Sequence, residues 1–575
     1  MSNAKLASFV EQWRLYLVLF VMFLCVLAIG WKVSILHIVE RDFLQSQGDA
    51  RTIRTVPLVA NRGLITDRNG EPLAVSSPVK SIWVNPQEIG AQHSEIVRLA
   101  TELGLVADSL LASIQRSSRR EFLYVKRRLA PAEAERILAL DIDGVYGQQE
   151  YQRFYPQGEV AAHLVGFSNV DDIGQEGLEL SYDEWLKGVP GRRQVIKDRR
   201  GHIIEELNTI QTAQPGKNLE LSIDFRLQNL AYKELKEEFV TRRAKSASIV
   251  VLDVDTGEVL AMANQPSYNP HNRKNLSDFS VLRNRAITDV FEPGSPIKAF
   301  TITAALESGL YTPDTVIETS PGWMMVNGHE VQDILNYGTL DLTKVITKSS
   351  NIGATKIAFE IGPDPIRNVL ERVGMGQLSG TGFPGEQGGV LPNHRSWSRI
   401  ETATFSFGYG LSTTALQLAR AYSVIADDGI RKPVSLLKLD EDNLQALRRE
   451  QVIDKTISNQ VLAMLETVVD PARGGSARDA RVDFYKVAGK TGTVHVVGKY
   501  GYEDNLHNSL FVGLVPASDP KLVIVVIVNE PKGDEHYGGQ VAAPVFSRVA
   551  SGAMRILNIA PDDLPEDAFR ELSSL

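Results

Sequence analysis

Little in this chain of 575 residues supports disulfide, metal or nucleic-acid chemistry. It has a single cysteine, Cys25, so no intrachain disulfide can form and hydrophobic cores must hold the fold. The 61 Lys and Arg are outnumbered by 70 Asp and Glu, and the formal net charge of −9 gives no reason to expect a nucleic-acid partner. Residues 50–220 contain no metal-ligand spacing, no Gly-rich phosphate loop and no repeat. We therefore expect no metal and no other cofactor.

Long hydrophobic runs are also absent, with one exception near the N-terminus. Leu15 to Trp31 is an uninterrupted apolar run of 17 residues, at the short end for a membrane span. Tyr16 and Trp31 stand near its ends, where aromatic side chains anchor helices at the membrane surface. The alternative is a cleaved signal peptide, but the run is longer than a signal's apolar core and no small-x-small site follows it closely. The pattern predicts an uncleaved anchor over 15–35, a cytoplasmic start over 1–14 and a body beyond the bilayer.

Residues 36–220 have the pattern of a non-catalytic N-terminal module. Asp67-Arg68-Asn69-Gly70 predicts a tight turn between two short strands, and Asp198 to Gly201 predicts a second hairpin. Ile96 to Ile142 shows mostly the spacing of amphipathic helices. The charged clusters around Arg153 and Glu179 are interpreted as solvated faces or interdomain ion pairs.

Residues 221–560 have strands at both ends and a middle, about 310–475, with a predominantly helical pattern. A helix from Phe225 to Val240 precedes two apolar strands that flank a turn, Ala247–Leu252 and Glu258–Met262. This order predicts an α+β fold in which helices pack on an antiparallel sheet. Residues 561–575 are expected to form an acidic tail. The later strands and the closing helix are predicted at Tyr485–Val497, Ser509–Val515, Lys521–Val528 and Val545–Ile556.

A serine and a lysine three residues apart share one face of a helix, where the lysine can accept the proton of a nucleophilic serine. This spacing occurs five times in the chain. Ser295 and Lys298 differ from the rest because they follow Pro293-Gly294 and open a helix that is apolar nearly all round, hence buried. The others are interpreted as chance matches in a tail, a strand, an extended piece and a turn: Ser2/Lys5, Ser77/Lys80, Ser435/Lys438 and Ser518/Lys521.

Two further motifs select Ser295. Ser349-Ser350-Asn351 lies in or beside a helix, and Lys490-Thr491-Gly492-Thr493 lies on a strand. Ser-x-Asn alone is weak, since Ser267-Tyr268-Asn269 matches it in a Pro-rich loop, but Lys-Thr-Gly occurs once. The ordered triple on helix, helix edge and strand indicates acyl transfer through a serine.

On these motifs the chain resembles the class B penicillin-binding proteins, which are monofunctional transpeptidases, and within them the division-specific branch. The resemblance covers nearly all the chain. It implies the penicillin-recognising fold, with an antiparallel sheet, packed helices and an all-helical subdomain, preceded by an anchor and a pedestal-like module. Pro296 departs from the family, which usually has threonine there, and this departure bears on β-lactam affinity more than on the reaction class. The further matching stretches are Arg62–Gly70, Glu292–Ser295, Phe405–Leu411, Tyr537–Gly539 and Ala543–Phe546.

The resemblance also implies a role for each motif residue. Ser295 attacks the D-Ala-D-Ala carbonyl of a peptidoglycan stem peptide, with Lys298 as the general base. Ser349 relays a proton to the leaving amine, and Asn351 holds the peptide amide. The N–H groups of Ser295 and Thr493 form the oxyanion hole. The residues expected to bind or border the substrate are Lys490, Thr491, Gly492, Thr493, Tyr537 and Gly538.

The partners implied are stem peptides, β-lactam antibiotics, a membrane glycosyltransferase of the FtsW type, other divisome proteins, and the bilayer through 15–35. The body is expected in the periplasm at the septum, held in the inner membrane. The alternatives are an elongation-class transpeptidase, a D,D-carboxypeptidase or β-lactamase that passes the acyl group to water, and an acylated sensor. The anchor and the extra module favour a cell-wall synthase, because hydrolysis needs neither.

Four polar residues near the motifs are expected to take no part in catalysis. Lys348 is interpreted as a solvated charge, and His495 as a strand residue that points to solvent. Glu330 and Asp333 are interpreted as surface groups.

Overall fold

The computed structural model describes residues 3–43, 46, 53–89, 92–197, 203–273, 278–498 and 501–564. The chain divides into two compact units. Unit 1 comprises 1–61, 78–151 and 188–215, and unit 2 comprises 62–77, 152–187 and 216–575. Two segments of the N-terminal third therefore belong to the same unit as the Ser-x-x-Lys, Ser-x-Asn and Lys-Thr-Gly motifs.

One long helix opens unit 1. Asn3–Ser34 is α-helical and continues as a π-helical turn at Ile35–Val39. Trp13–Val39 has a mean hydropathy of 2.4 and is the single stretch among the described residues that is long and apolar enough to cross a membrane. The stretch predicted as an anchor, 15–35, lies inside it, and its large apolar side chains are exposed.

The rest of unit 1 contains a three-stranded antiparallel sheet and a second strand group covered by helices. In the first, Gly191–Lys197 pairs with Ile53–Leu58 and with Ile203–Gln211. These last two strands are the arms of the predicted hairpin, whose turn at Asp198–Gly201 lies outside the described residues. In the second, the strand Pro72–Val84, which belongs to unit 1 from Pro78 onward, pairs with Leu123–Leu129 and with Val145–Phe154. The helices beside it are Pro86–Ile89, His93–Leu103, Ala107–Arg116 and Pro131–Leu138.

The helical pattern predicted for 96–142 is thus confirmed for three helices but missed the strand Leu123–Leu129. That strand carries three consecutive cations, Lys126 to Arg128, which weaken the alternation of apolar and polar residues. Ile82, Leu99 and Ile137 are fully or almost fully buried in the core of this group.

Unit 2 is built on a five-stranded antiparallel sheet, as predicted. In spatial order its strands are Val259–Gln265, Ser246–Asp253, Leu522–Asn529, Gly501–Val515 and Ala488–Gly498. Helices Phe225–Thr241 and Gly538–Ile556 pack on each other and on the sheet, and Ala415–Ala426 packs on its central strands. Ala488–Gly498, which carries Lys-Thr-Gly, is therefore an edge strand of the sheet.

The middle of unit 2 is mainly helical, with short strand pairs that the sequence pattern did not indicate. The pairs are Val316–Glu318 with Thr339–Asp341, Trp323–Val326 with His329–Gln332, and Ile430–Arg431 with Glu450–Gln451. The helices are Arg285–Thr288, Lys298–Glu307, Leu342–Thr347, Asn351–Ile361, Pro363–Arg372, Arg399–Ser406, Ala415–Ala426, Glu441–Gln445 and Lys455–Glu466.

The N-terminal segments of unit 2 contain the predicted turn at Asp67–Gly70, between Ile65–Thr66 and Pro72–Val84. The peptide N–H of Asp67 donates to the carbonyl of Glu71 at 2.9 Å and closes the turn. Leu219–Glu220 adds a parallel strand beside Ile65–Thr66. The remaining short elements are the strands Phe167–Ser168 and Gly174–Glu176 and the helices Ala162–Val165, Gly177–Ser181 and Asp183–Leu186.

A cluster of ion pairs is buried in these same segments. The Glu179 carboxylate accepts from Arg62 Nε and from Arg153 Nε, each at 2.6 Å. Arg62 Nη1 also donates to Asp183 at 2.7 Å. Glu179 is fully buried, and Arg62 and Arg153 are only 2% and 4% exposed. The interpretation of these charges as solvated faces or interdomain pairs is therefore wrong, because all of them are paired inside unit 2.

Candidate active site

The candidate nucleophile lies in a short turn ahead of a buried helix. Ser295–Ile297 is a 3₁₀ turn, and the α-helix runs from Lys298 to Glu307 with almost every residue buried. Gly294 adopts φ +63°, and a Cβ at that position would lie 2.5 Å from Val494 Cγ2. Pro296 occupies the first turn, where its missing N–H costs no helical bond, and its carbonyl accepts from the buried Tyr422 hydroxyl at 2.8 Å.

Lys298 joins the first two motifs. Its Nζ lies 2.6 Å from the Ser349 carbonyl oxygen and 2.7 Å from Asn351 Oδ1, both of which can only accept hydrogen bonds. It also lies 3.2 Å from the hydroxyl oxygens of Ser295 and of Ser349. Two N–H bonds are thus committed to oxygens, and a neutral amine would turn its lone pair toward the hydroxyls. The arrangement suits a lysine that accepts a proton from Ser295.

The electrostatic setting favours that neutral amine. Burial lowers the pKa of Lys298 well below the ordinary lysine range, the nearby charge of Lys490 lowers it further, and Asp333 acts in the opposite direction. Burial also lowers the pKa of Lys490, to about 7. Both lysines are fully buried, so the charged form of each loses its hydration. Within the part of the chain that the structure describes, neither amine is paired directly with a carboxylate.

Ser349 lies between the hydroxyl of Ser295 and the third motif. Its Oγ donates to Ser295 Oγ at 3.0 Å and accepts from Lys490 Nζ at 2.9 Å. Ser349 adopts φ +57°, a left-handed conformation that costs a non-glycine residue about 1–3 kcal/mol and is concentrated at functional sites. The chain holds this conformation between the helices Leu342–Thr347 and Asn351–Ile361. An unbroken hydrogen-bonded path therefore links Lys490, Ser349, Ser295 and Lys298.

The edge strand Ala488–Gly498 turns its residues to two faces. Lys490, Gly492 and Val494 are buried, whereas Thr491 and Thr493 lie on the half-exposed face. The Thr493 hydroxyl accepts from the peptide N–H of Gly538 at 3.0 Å, and the Thr491 hydroxyl lies 3.2 Å from that of Ser476. Sequence reasoning missed Ser476, because nothing in its neighbourhood distinguishes it.

The two glycines of the predicted substrate site permit close packing. A Cβ on Gly492 would lie 2.7 Å from Leu510 Cγ, so close packing within the sheet requires glycine at this position. A Cβ on Gly538 would lie 2.4 Å from the carbonyl oxygen of Gly492, so the start of the helix Gly538–Ile556 closely approaches the edge strand. Tyr537 precedes this helix and is 49% exposed.

The interpretation of Asp333 as a surface group is wrong. It is 9% exposed and accepts from Ser350 Oγ at 2.5 Å and from the N–H groups of Asn351 and Ile352 at 2.5 and 3.1 Å. The carboxylate thereby caps the helix Asn351–Ile361 and fixes the Ser-x-Asn motif. Glu330 is exposed, as expected.

Two more interpretations need revision. Lys348 is only partly exposed, and its Nζ donates to the carbonyl of Gly474 at 2.9 Å. His495 is half-buried and packs against His507 with ring centroids 4.6 Å apart, so it does not simply point to solvent.

Asp333→Asn should separate the electrostatic and structural parts of this arrangement. Asp333 raises the pKa of Lys298, so its removal should shift the acid limb of the acylation pH profile to lower pH. An amide presents one oxygen to three donors, so stability should fall by roughly 1–3 kcal/mol. The measurements are the second-order acylation constant between pH 5 and 9 and the thermal midpoint.

Asp341→Asn is the matched control for Asp333→Asn. Asp341 also caps a helix, accepting from the Lys344 N–H at 2.7 Å, but it does not affect the pKa of Lys298. An acid limb that moves to higher pH in Asp333→Asn, or one that moves equally in both variants, would contradict the assignment.

Comparison with known proteins shows to which family the chain belongs. Residues 247–551 match the penicillin binding protein transpeptidase domain, and residues 57–221 match the penicillin-binding protein dimerisation domain. The chain belongs to the penicillin-binding protein transpeptidase family. The penicillin-binding fold expected from the motifs is thereby confirmed, including the N-terminal module.

Similar penicillin-binding proteins span almost the whole chain. The probable peptidoglycan D,D-transpeptidase PbpC of Pseudomonas aeruginosa is 45% identical and covers 97% of each chain. The peptidoglycan D,D-transpeptidase FtsI of Escherichia coli is 42% identical, over 97% of this chain and 94% of FtsI. The solved structure of penicillin-binding protein 3 of Mycobacterium tuberculosis with aztreonam is 28% identical, with a TM-score of 0.67 and coverage of 88% of this chain and 98% of that one.

Proposed function

We propose that this chain is a peptidoglycan D,D-transpeptidase that crosslinks stem peptides at the division septum. The observation that carries the proposal is the buried Lys298 amine, which lies 3.2 Å from the hydroxyls of both Ser295 and Ser349. A neutral amine in this position can take the serine proton at the moment of attack.

Acylation begins when the Ser295 Oγ attacks the carbonyl between the two D-Ala residues and passes its proton to Lys298. The carbonyl oxygen becomes an oxyanion, for which the N–H groups of Ser295 and Thr493 are the proposed donors, worth roughly 2.7–4 kcal/mol each. The C–N bond then breaks, and the leaving D-Ala amine needs a proton. The path from Lys298 through the Ser349 hydroxyl delivers it.

Deacylation repeats these steps with the amine of a neighbouring stem peptide as the attacking group. Lys298 accepts the proton of that amine and returns it to Ser295 Oγ as the ester bond breaks. A β-lactam would acylate Ser295 by the same first step. Its amine would stay attached to the acyl group after ring opening, so no leaving group would depart and free space for an acceptor.

Substrate binding is assigned to the edge strand and the adjoining helix start. Lys490 supplies positive charge, and its pKa of about 7 would rise when the substrate's terminal carboxylate binds. The hydroxyls of Thr491 and Thr493 lie on the half-exposed face of the same strand and can donate to that carboxylate. Asn351 holds the peptide amide, while Tyr537 and Gly538 border the cleft.

The cellular role rests on the anchor and on the similarity to FtsI. The helix Trp13–Val39 would hold the protein in the inner membrane by a single pass, with the N-terminus cytoplasmic and the body periplasmic. The proposed partners are a glycosyltransferase of the FtsW type and other divisome proteins. The 42% identity to FtsI favours division over elongation. Depletion should then give filaments, whereas round cells would indicate an elongation role.

Ser295→Ala should abolish labelling by a fluorescent β-lactam, because it removes the proposed nucleophile at the start of the buried helix Lys298–Glu307. The measurement is in-gel fluorescence of the purified full-length protein. Ser518→Ala is the matched control, since Ser518 and Lys521 repeat the same spacing in a turn and should label normally. Labelling of Ser295→Ala at the wild-type level would refute the proposed nucleophile.

A stem-peptide thioester with a D-amino acid acceptor distinguishes transfer from hydrolysis. Aminolysis product supports the transpeptidase. Hydrolysis alone would support the D,D-carboxypeptidase.

A further inference from the structure

A cavity of about 930 Å³ opens on unit 2 between the helix Lys455–Glu466 and the segment 469–487. Met464, Val469 and Val482 are among its lining residues and are almost fully buried, so the floor of the cavity is apolar. The volume lies at the upper end of the range that is usual for ligand cavities. We name this cavity the 460–487 groove.

One large apolar side chain of the groove is left exposed. Phe484 belongs to the lining, is 56% exposed and adopts φ +67°. This left-handed conformation is rare for a bulky residue and persists only where the surrounding structure enforces it. Burial of the ring against another apolar group would be favourable. Phe484 therefore offers the groove an apolar contact surface that the described residues leave open.

The chain itself leads to this groove. The peptide N–H of Lys486 donates to the Asp562 carboxylate at 2.8 Å, and the N–H of Asp563 donates to the carbonyl of Phe484 at 3.0 Å. Asp563 is also part of the groove lining. Residues 565–575 lie outside the described residues and begin two residues after Asp563. The chain therefore enters residues 565–575 from the edge of the groove.

Residues 565–575 have the sequence pattern of an amphipathic helix. At about 100° per residue, their five apolar side chains fall within an arc of about 120°, and the six polar side chains fall outside it. Proline followed by two acidic residues is also a signal for the start of a helix. A helix this short is marginal in water, so the pattern predicts one that forms against an apolar surface. The five apolar residues are Pro565, Ala568, Phe569, Leu572 and Leu575.

The charges fit a contact with the groove better than one with a membrane surface. Residues 565–575 contain three carboxylates and one cation, Arg570, whereas helices that bind at a membrane surface are rich in Lys and Arg. Arg478, Arg481 and Lys486 line the groove and form no ion pair with any described residue. The lining also contains carboxylates, so charges of both signs can pair across the contact and set its register more than its affinity.

We propose that residues 565–575 bind in the 460–487 groove as a helix, with Phe569 and Leu572 packed toward Phe484. The occupant is thus a segment of this same chain. This contact depends on the fold alone, and it would stand or fall independently of the proposed function.

The bound segment would also stabilise a loop that adjoins the proposed substrate site. Arg473 and Arg478 line the groove, and between them the Ser476 hydroxyl lies 3.2 Å from that of Thr491. Deletion of residues 565–575 should therefore speed amide hydrogen exchange across 473–478, which is a measure of local opening. Unchanged exchange in this loop would contradict the link to the substrate site.

The test of the contact measures how fast a cysteine in the groove reacts with a charged maleimide. Ala463 is exposed and lines the groove, so Ala463→Cys with Cys25→Ser gives a single probe in the full-length protein in detergent. Labelling should be about tenfold slower than in the same protein without residues 565–575, if the segment is bound about nine-tenths of the time. Val240→Cys, at a residue 62% exposed and outside the groove, should react equally in both proteins.

A charge on the apolar face should release the segment. Phe569→Asp in the intact chain should restore the fast labelling that follows deletion. Ser574→Asp is the matched control, because Ser574 lies on the polar arc and its substitution should leave the slow rate unchanged. The thermal midpoint verifies that each variant is folded, and Gln460→Cys gives a second probe in the same lining.

Three outcomes would overturn the proposed contact. The first is an equal labelling rate with and without residues 565–575, and the second is an equal effect of Phe569→Asp and Ser574→Asp. The third is a slow rate that becomes fast when the protein is diluted, because the groove would then be occupied by a second copy of the chain. We expect a slow rate that does not depend on protein concentration.

Discussion

Lys298→Met is expected to slow acylation by roughly 10²–10⁴-fold, the usual contribution of a positioned proton acceptor. Methionine fills similar space but has no lone pair for the Ser295 proton. The fully buried amine is also the common partner of Ser349 and Asn351, whose oxygens lie 2.6 and 2.7 Å from Nζ. The loss should appear in the rate constant for labelling by a slow β-lactam and in thioester turnover.

Folding must be separated from chemistry in this variant. Lys298→Met leaves two partly buried acceptors without this donor, at a cost of up to about 1–3 kcal/mol each, but it also removes a buried ionisable group. Its thermal midpoint should therefore stay within a few degrees of wild type. Lys344→Met, at a lysine 58% exposed at its side chain, is the control and should react normally. A folded Lys298→Met that acylates within threefold of wild type would exclude Lys298 as the base.

Glu179→Ala is expected to destabilise unit 2 by about 3–5 kcal/mol, because the buried positive charges of Arg62 and Arg153 lose the carboxylate with which both are paired. Both Arg62 and Arg153 direct Nε at this carboxylate at 2.6 Å, and neither side chain reaches water. The measurement is the temperature at which full-length protein in detergent loses β-lactam labelling, since the labelling site belongs to the same unit as Glu179.

Glu371→Ala provides the matched surface comparison. Glu371 pairs with Arg367 at 3.0 Å one helical turn away, and its side chain is 50% exposed. Such pairs contribute roughly 0.3–0.5 kcal/mol, so the labelling temperature should hardly change. Equal effects of the two substitutions would mean that the buried cluster is no more important than an exposed pair.

Sequence patterns were sufficient where a function depends on local spacing. Ser295 and Lys298 share a helix start, and Lys490 to Thr493 share a strand, so their relative placement follows from one element each. The sheet of unit 2 was predictable for the same reason, since its inner strands are continuous apolar runs such as Leu522–Asn529.

Sequence patterns failed to predict the structural role of a residue where that role depends on partners that are distant in the chain. Nothing near Asp333 indicates that it will cap a helix that begins at Asn351, because the hairpin that presents it has exposed, irregular strands. Glu179 resembles any surface carboxylate until two arginines from separate segments meet it. The contacts of His507 with His495 and His536 likewise bring together residues from three segments.

The separation of the proposed catalytic groups along the chain has a practical consequence. Ser295 and Ser349 are 54 residues apart, and Ser349 and Lys490 are 141 apart, yet their polar atoms meet within 3.0 Å. A fragment that lacks Ser295, Ser349 or Lys490, or a chain whose long-range closures are incomplete, cannot assemble this contact. Covalent labelling at Ser295, the proposed nucleophile, would therefore count native molecules, and its onset during refolding would time the last of these closures.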